Sequence, residues 1–109
     1  MKLRKERRRE ARQLCAEFIQ MAWLDDAGKR ISHVGVLEDI SPAGLAVSSD
    51  LPVPAGRRVH LYARGFGGEA EVRHCELGDY GYVVGMEFVE GSGWERAKWC
   101  PGHLYEPKT

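Results

Sequence analysis

From residue 13 onward the chain reads as short runs in which apolar and polar residues alternate, cut at near-regular intervals by turn residues. That period of two is the signature of half-buried β-strands, and it excludes a helical bundle. The clearest run is residues 57–64, where Val59, Leu61 and Ala63 fall on one face and Arg58, His60, Tyr62 and Arg64 on the other. Residues 82–89 place Tyr82, Val84, Met86 and Phe88 together, residues 44–48 alternate Leu45 and Val47, and residues 31–38 set Val34 and Val36 on one face. Residues 69–77 form another run, and residues 14–24 a first one with less regular alternation. Asp25-Asp26-Ala27-Gly28, the prolines Pro52 and Pro54, the glycine-rich residues 65–68 and Gly78-Asp79-Tyr80-Gly81 separate them. Six short strands in a chain of 109 residues leave room for a single core. The expected fold is all-β, a small six-stranded antiparallel barrel, since closure removes the exposed edges of a sheet.

The two ends differ in texture. Ser92 precedes Glu95 by three residues, a capping-box spacing, so residues 93–100 are expected to form a short helix carrying Trp94 and Trp99 and stopped by Pro101. The organisation is therefore an N-terminal arm over residues 1–12, a barrel over 13–90, and a short helix and tail over 91–109. The arm is the unusual part. Lys plus Arg and Asp plus Glu each number 16, yet residues 1–12 hold seven bases and two acids. A basic arm of net charge +5 thus precedes a body of net charge −5. As an isolated helix the arm is poorly supported, because Arg4 and Arg8, Lys5 and Arg9, Glu6 and Glu10, and Arg8 and Arg12 are like-charge pairs four apart. A flexible arm that an anion can order is the expectation.

Two motifs stand out. Arg8 and Arg12 make an Arg-x-x-x-Arg just before the first strand. Asp39, Ser41 and Gly44 make an Asp-x-Ser-x-x-Gly between the second and third. Alone, the first arises easily in an arginine-rich stretch, where Arg4 with Arg8 also fits, and the second is a plausible Asx or Ser turn with a glycine at positive φ. Their order, the 27 residues from Arg12 to Asp39, and Gly85-Met86-Glu87-Phe88 closing the last strand together carry a more specific message.

This arrangement resembles the PilZ domain, the small β-barrel receptor for the bacterial second messenger cyclic di-GMP. The resemblance covers residues 6 to about 90. It implies that Arg8 and Arg12 are the paired motif arginines, and that Asp39, Ser41 and Gly44 form the barrel side of the ligand clamp. The ligand's chemistry suits these residues. Two phosphodiesters and two guanines call for arginine, whose planar fork pairs with phosphate oxygens and with the O6/N7 edge of guanine and stacks on bases. A carboxylate at Asp39 can accept from the guanine N1–H and N2–H donors, and the Ser41 hydroxyl adds a hydrogen bond. Gly44 lets the backbone turn and leaves room for a base. An arginine just before the Arg-x-x-x-Arg is associated in this family with an intercalated ligand dimer. Arg7 stands there, with Arg9 beside Arg8, so two ligand molecules per chain are expected.

Other chemistry is weakly signalled. His74-Cys75 and Cys100 with His103 offer four zinc ligands, but their spacing matches no finger, and no metal or cofactor is expected. The three cysteines, Cys15, Cys75 and Cys100, suggest no disulfide framework. Residues 65–68 lack the Lys and Ser/Thr of a phosphate loop, and Trp23, Trp94 and Trp99 read as packing residues. No Ser/His/Asp or Cys/His set has catalytic spacing, so an enzyme is not expected. No stretch is long and apolar enough to span a membrane, and the charged N-terminus lacks the apolar core of a secretory signal, so a cytoplasmic protein is expected. The expected function is a stand-alone receptor that binds cyclic di-GMP, orders its arm and relays the state to a partner protein. A nucleotide-independent adaptor and a small barrel that binds single-stranded nucleic acid are the other readings, although the acidic body makes nucleic acid the less natural partner.

Overall fold

Each period-two run forms a strand in the computed structural model, which describes residues 13–94 together with Trp99 and Pro101. The strands are β1 (Gln13–Leu24), β2 (Arg30–Ile40), β3 (Gly44–Ser49), β4 (Arg58–Ala63), β5 (Phe66–Gly78) and β6 (Gly81–Phe88). All neighbours pair antiparallel, and the sheet closes into a barrel in the order β1-β2-β3-β6-β5-β4. The six-stranded antiparallel barrel expected from the alternation is therefore the fold. Residues 1–12, 95–98, 100 and 102–109 lie outside the described residues, and so do the expected basic arm, most of the expected short helix and most of the tail. Among the described residues there is no helix.

The core follows from the alternation. Val59, Leu61 and Ala63 of β4 point inward and are buried while Arg58, His60 and Tyr62 face water. They meet Leu45 and Val47 of β3 and Val84 and Met86 of β6 in one cluster that Trp23 and Trp94 complete. Fully burying such side chains stabilises the fold by about 1.5–3 kcal/mol each.

Three details depart from the expected pattern. Val34 and Val36 do share a face, and it is the outer one. The inner positions of β2 are Ile31, His33, Gly35 and Leu37. Gly35 fits because the space where a side chain would stand is filled; an added Cβ would lie 2.5 Å from Val47 Cγ1. The second departure is the glycine-rich loop. Only Arg64 and Gly65 form the turn, with Gly65 at φ +85°, and Gly67 and Gly68 belong to β5, opposite Tyr62 and Leu61. The third is the uneven alternation of β1, which reflects a bulge between Leu14 and Glu17.

Antiparallel pairing sorts the connections between the two ends of the barrel. One end carries the turns after β1, β3 and β5. The other gathers the start of β1, the 41–44 turn, the 64–65 turn and the segment that follows β6.

Candidate functional site

The start of β1 and the 41–44 turn are joined by pairing. Gln13 lies opposite Ile40 and Leu14 opposite Asp39. The chain therefore enters the barrel directly beside the Asp-Ser motif. Arg7, Arg8, Arg9 and Arg12 lie outside the described residues, but covalent geometry bounds their reach. Arg12 is one Cα step of about 3.8 Å from Gln13, and Arg8 within about 18 Å of it.

Asp39 sits where β2 bulges against β3, opposite Ala46, half-buried on the outer face of the barrel. The bulge re-aims the side chain at the strand's end, a common device next to binding sites. Ser41 is differently placed from a side chain reaching out to solvent. It is 4 % exposed, and its hydroxyl accepts from the N–H groups of Ala43 and Gly44, both at 3.3 Å. Its own N–H donates to the Gly44 carbonyl at 2.8 Å. The serine thus holds the turn in shape from within.

Gly44 has a reason other than a left-handed backbone. Its φ is not among the positive ones, and a Cβ here would lie 2.3 Å from the Met86 carbonyl oxygen. The room the missing side chain leaves is taken by β6, which pairs Glu87 with Gly44. Phe88 N–H donates to the Ala43 carbonyl at 2.8 Å, so the turn is clamped to the end of β6.

The segment after β6 folds back against the same turn. A Cβ on Gly93 would lie 3.3 Å from the Pro42 carbonyl oxygen. Ser92, read from sequence as a helix cap, accepts the Glu69 N–H on β5 at 3.1 Å. Trp94 is 3 % exposed and donates from Nε1 to the Trp99 carbonyl; Trp99 in turn donates from Nε1 to the Arg64 carbonyl, both at 2.8 Å. The Trp99 ring stacks on Phe66 at 4.8 Å and 21°. Between Pro42, Gly93 and these aromatics lies a cavity of about 560 Å³. Sequence reasoning placed the tryptophans as packing residues, which Trp23 and Trp94 are. It missed that Trp94, Trp99 and Phe66 build a wall next to the motif turn, because nothing local ties residue 99 to residues 64–66.

The zinc candidates do not come together among the described residues. His74 is exposed with its ring lying across Gly85, while Cys75 packs partly against the core from the other face of β5. Cys100 and His103 lie outside the described residues.

The candidate site is thus an outer-face carboxylate beside a tightly held turn, at the point where the chain enters β1. The family model of the PilZ domain matches residues 6–98, spanning both motifs and every strand. The chain belongs to the PilZ domain family. Among curated proteins and among solved structures, none matches it significantly. PilZ domains are a receptor family for cyclic di-GMP rather than a catalytic one. In this PilZ barrel the Asp-Ser motif sits at the end where β1 begins, and no described helix is long and apolar enough to cross a membrane.

Proposed function

We propose that this chain binds cyclic di-GMP between the 39–44 turn and the arginines that lead into β1, and passes the occupied state to a partner protein. The observation that supports the reading is the register Gln13 with Ile40 and Leu14 with Asp39, which brings the start of β1, the residue that follows the arginine motif in sequence, beside the carboxylate. Asp39 accepts from the N1–H and N2–H edge of one guanine. Arg8 and Arg12 supply bidentate donors to phosphate and to a guanine O6/N7 edge. Ser41 and Gly44 act by fixing the turn that presents Asp39, one from its internal hydrogen bonds and the other by allowing β6 to close in. Arg7 and Arg9 extend the cationic surface to a second, intercalated ligand molecule.

The relay follows from charge. Arginines crowded in one short segment repel one another, and a dianion removes that repulsion and draws the segment onto the turn. The surface so ordered is what a partner protein reads. Calorimetric titration with cyclic di-GMP, GMP and a short single-stranded oligonucleotide tests the reading. Binding of cyclic di-GMP alone, at two molecules per chain, is expected. Binding of none of the three would favour an adaptor that works without nucleotide, and preference for the oligonucleotide would favour the single-strand reading.

A further inference from the structure

The cavity between the motif turn and the aromatic wall has no part in the clamp, since Asp39 does not line it. At about 560 Å³ it falls within the size range of small-ligand sites. The nine described residues that line it are all uncharged. A phosphate, carboxylate or ammonium group would lose its hydration there and gain no counter-charge. An occupant of this cavity is therefore a neutral group.

The lining also selects shape. Four of its members are glycines, Gly65, Gly67, Gly91 and Gly93, so bare backbone forms much of the surface and a flat group can approach it closely. Phe66, Trp94 and Trp99 form most of the rest, and planar rings stack on surfaces of this kind. The polar groups narrow the choice again. Neither indole has a donor to offer, because Trp94 Nε1 donates to the Trp99 carbonyl and Trp99 Nε1 to the Arg64 carbonyl. The Pro42 carbonyl accepts from no group among the described residues. The Ser92 hydroxyl accepts the Glu69 N–H but donates to no group among them. The two stand close together, since the Pro42 oxygen lies 3.3 Å from the Cβ position of Gly93, the residue after Ser92. A hydrocarbon would leave both unanswered, at a cost. A flat ring that carries an N–H beside an acceptor answers both.

We propose that this cavity binds a neutral nucleobase, stacked on the aromatic wall, donating to the Pro42 carbonyl and accepting from the Ser92 hydroxyl. The base is that of a free base or nucleoside, because the lining offers nothing for a phosphate. The proposal does not rest on the cyclic di-GMP reading.

Titration of the isotope-labelled chain with inosine, followed by nuclear magnetic resonance, tests it. Inosine carries an N1–H beside O6 but neither a phosphate for the arginines nor the amino group that Asp39 would read. The indole N–H signals of Trp94 and Trp99 are expected to shift together and saturably, in Asp39→Ala as in wild type. The N1-methyl derivative of inosine lacks the donor and should bind roughly 3- to 10-fold more weakly. Gly67→Leu adds bulk to the lining where a Cβ would meet only the Leu61 carbonyl oxygen, at 4.0 Å, and should abolish the shifts while the rest of the spectrum keeps the pattern of the folded barrel. If that variant fails to fold, the methylated and unmethylated probes decide on the wild-type chain. No saturable shift with inosine overturns the proposal, as does a response indifferent to the N1 methyl group. Shifts lost in D39A would place the nucleoside at the other site. Shifts produced by cyclic di-GMP and not by inosine would mean that the base arrives as part of the dinucleotide, and either result overturns it too.

Discussion

Replacing Gly44 by alanine isolates what this glycine does. The added Cβ would lie 2.3 Å from the Met86 carbonyl oxygen and 3.3 Å from Glu87 Cα, both backbone atoms of β6 that no side-chain rotation can move away. Reaching an ordinary contact of 3.4 Å needs β3 and β6 to part locally by roughly 1 Å. The hydrogen bond from Phe88 N–H to the Ala43 carbonyl, now 2.8 Å, lies next to that point and would be lost or stretched. Overpacking strain of about 1–3 kcal/mol and one lost hydrogen bond of about 1 kcal/mol give a destabilisation of about 2–4 kcal/mol. For a domain of this size that lowers Tm by roughly 8–16 °C. Calorimetric melting and urea denaturation of G44A against wild type measure it. Gly28→Ala is the complementary control, because Gly28, unlike Gly44, sits at a left-handed φ of +81° but has nothing within 4 Å of its Cβ position. Its loss should be confined to backbone strain of about 1 kcal/mol. A G44A barrel that melts with wild type would refute the reasoning. So would one that keeps its Tm and loses only nucleotide binding, since that would mean the glycine serves the ligand and not the strand.

Arg12→Ala removes charge-assisted hydrogen bonds worth about 1.5–3 kcal/mol and should lower cyclic di-GMP affinity roughly 10- to 100-fold by calorimetry while Tm holds. Raising the salt from low to moderate ionic strength should weaken binding of the dianion progressively, measured by the same titration. Trp99→Ala takes away the ring stacked on Phe66 and the bond to the Arg64 carbonyl, so the segment after β6 should loosen and be cut first in limited proteolysis. Arg73→Ala should leave thermal stability where it was. Its raised pKa comes from a hydrogen bond and ion pair with Glu87, but the Arg73 side chain is more than half exposed, and such surface pairs contribute little.

The strands were legible because each had one buried face. Val59, Leu61 and Ala63 against Arg58, His60 and Tyr62 leave no other register, and β6 is as clear. What failed to show in the sequence needed partners distant in the chain. Gly67 and Gly68 look like loop, yet Tyr62 and Leu61 hold them as strand. The outward Val34 looks like core until Val47 is seen to occupy the inner face at Gly35. The bulges that place Asp39, and the closing order in which β3 joins β6, lie beyond any local pattern. The Asp-Ser motif was visible as residues but not as roles. Buried Ser41 bonds to its own turn and Gly44 makes way for Met86, which no spacing reveals.

That Gln13 pairs with Ile40 also bears on how tightly a ligand is held. The two halves of the proposed clamp belong to one chain, with Arg12 one residue and Arg8 five residues before Gln13 in sequence. A ligand that first touches the turn therefore meets the arginines at an effective concentration in the millimolar range, without waiting for a second encounter in solution. Affinity then depends on tether length as well as on contacts. Residues inserted between Arg12 and Gln13 would dilute the arginines about the turn and loosen binding, although every group that touches the nucleotide would still be present.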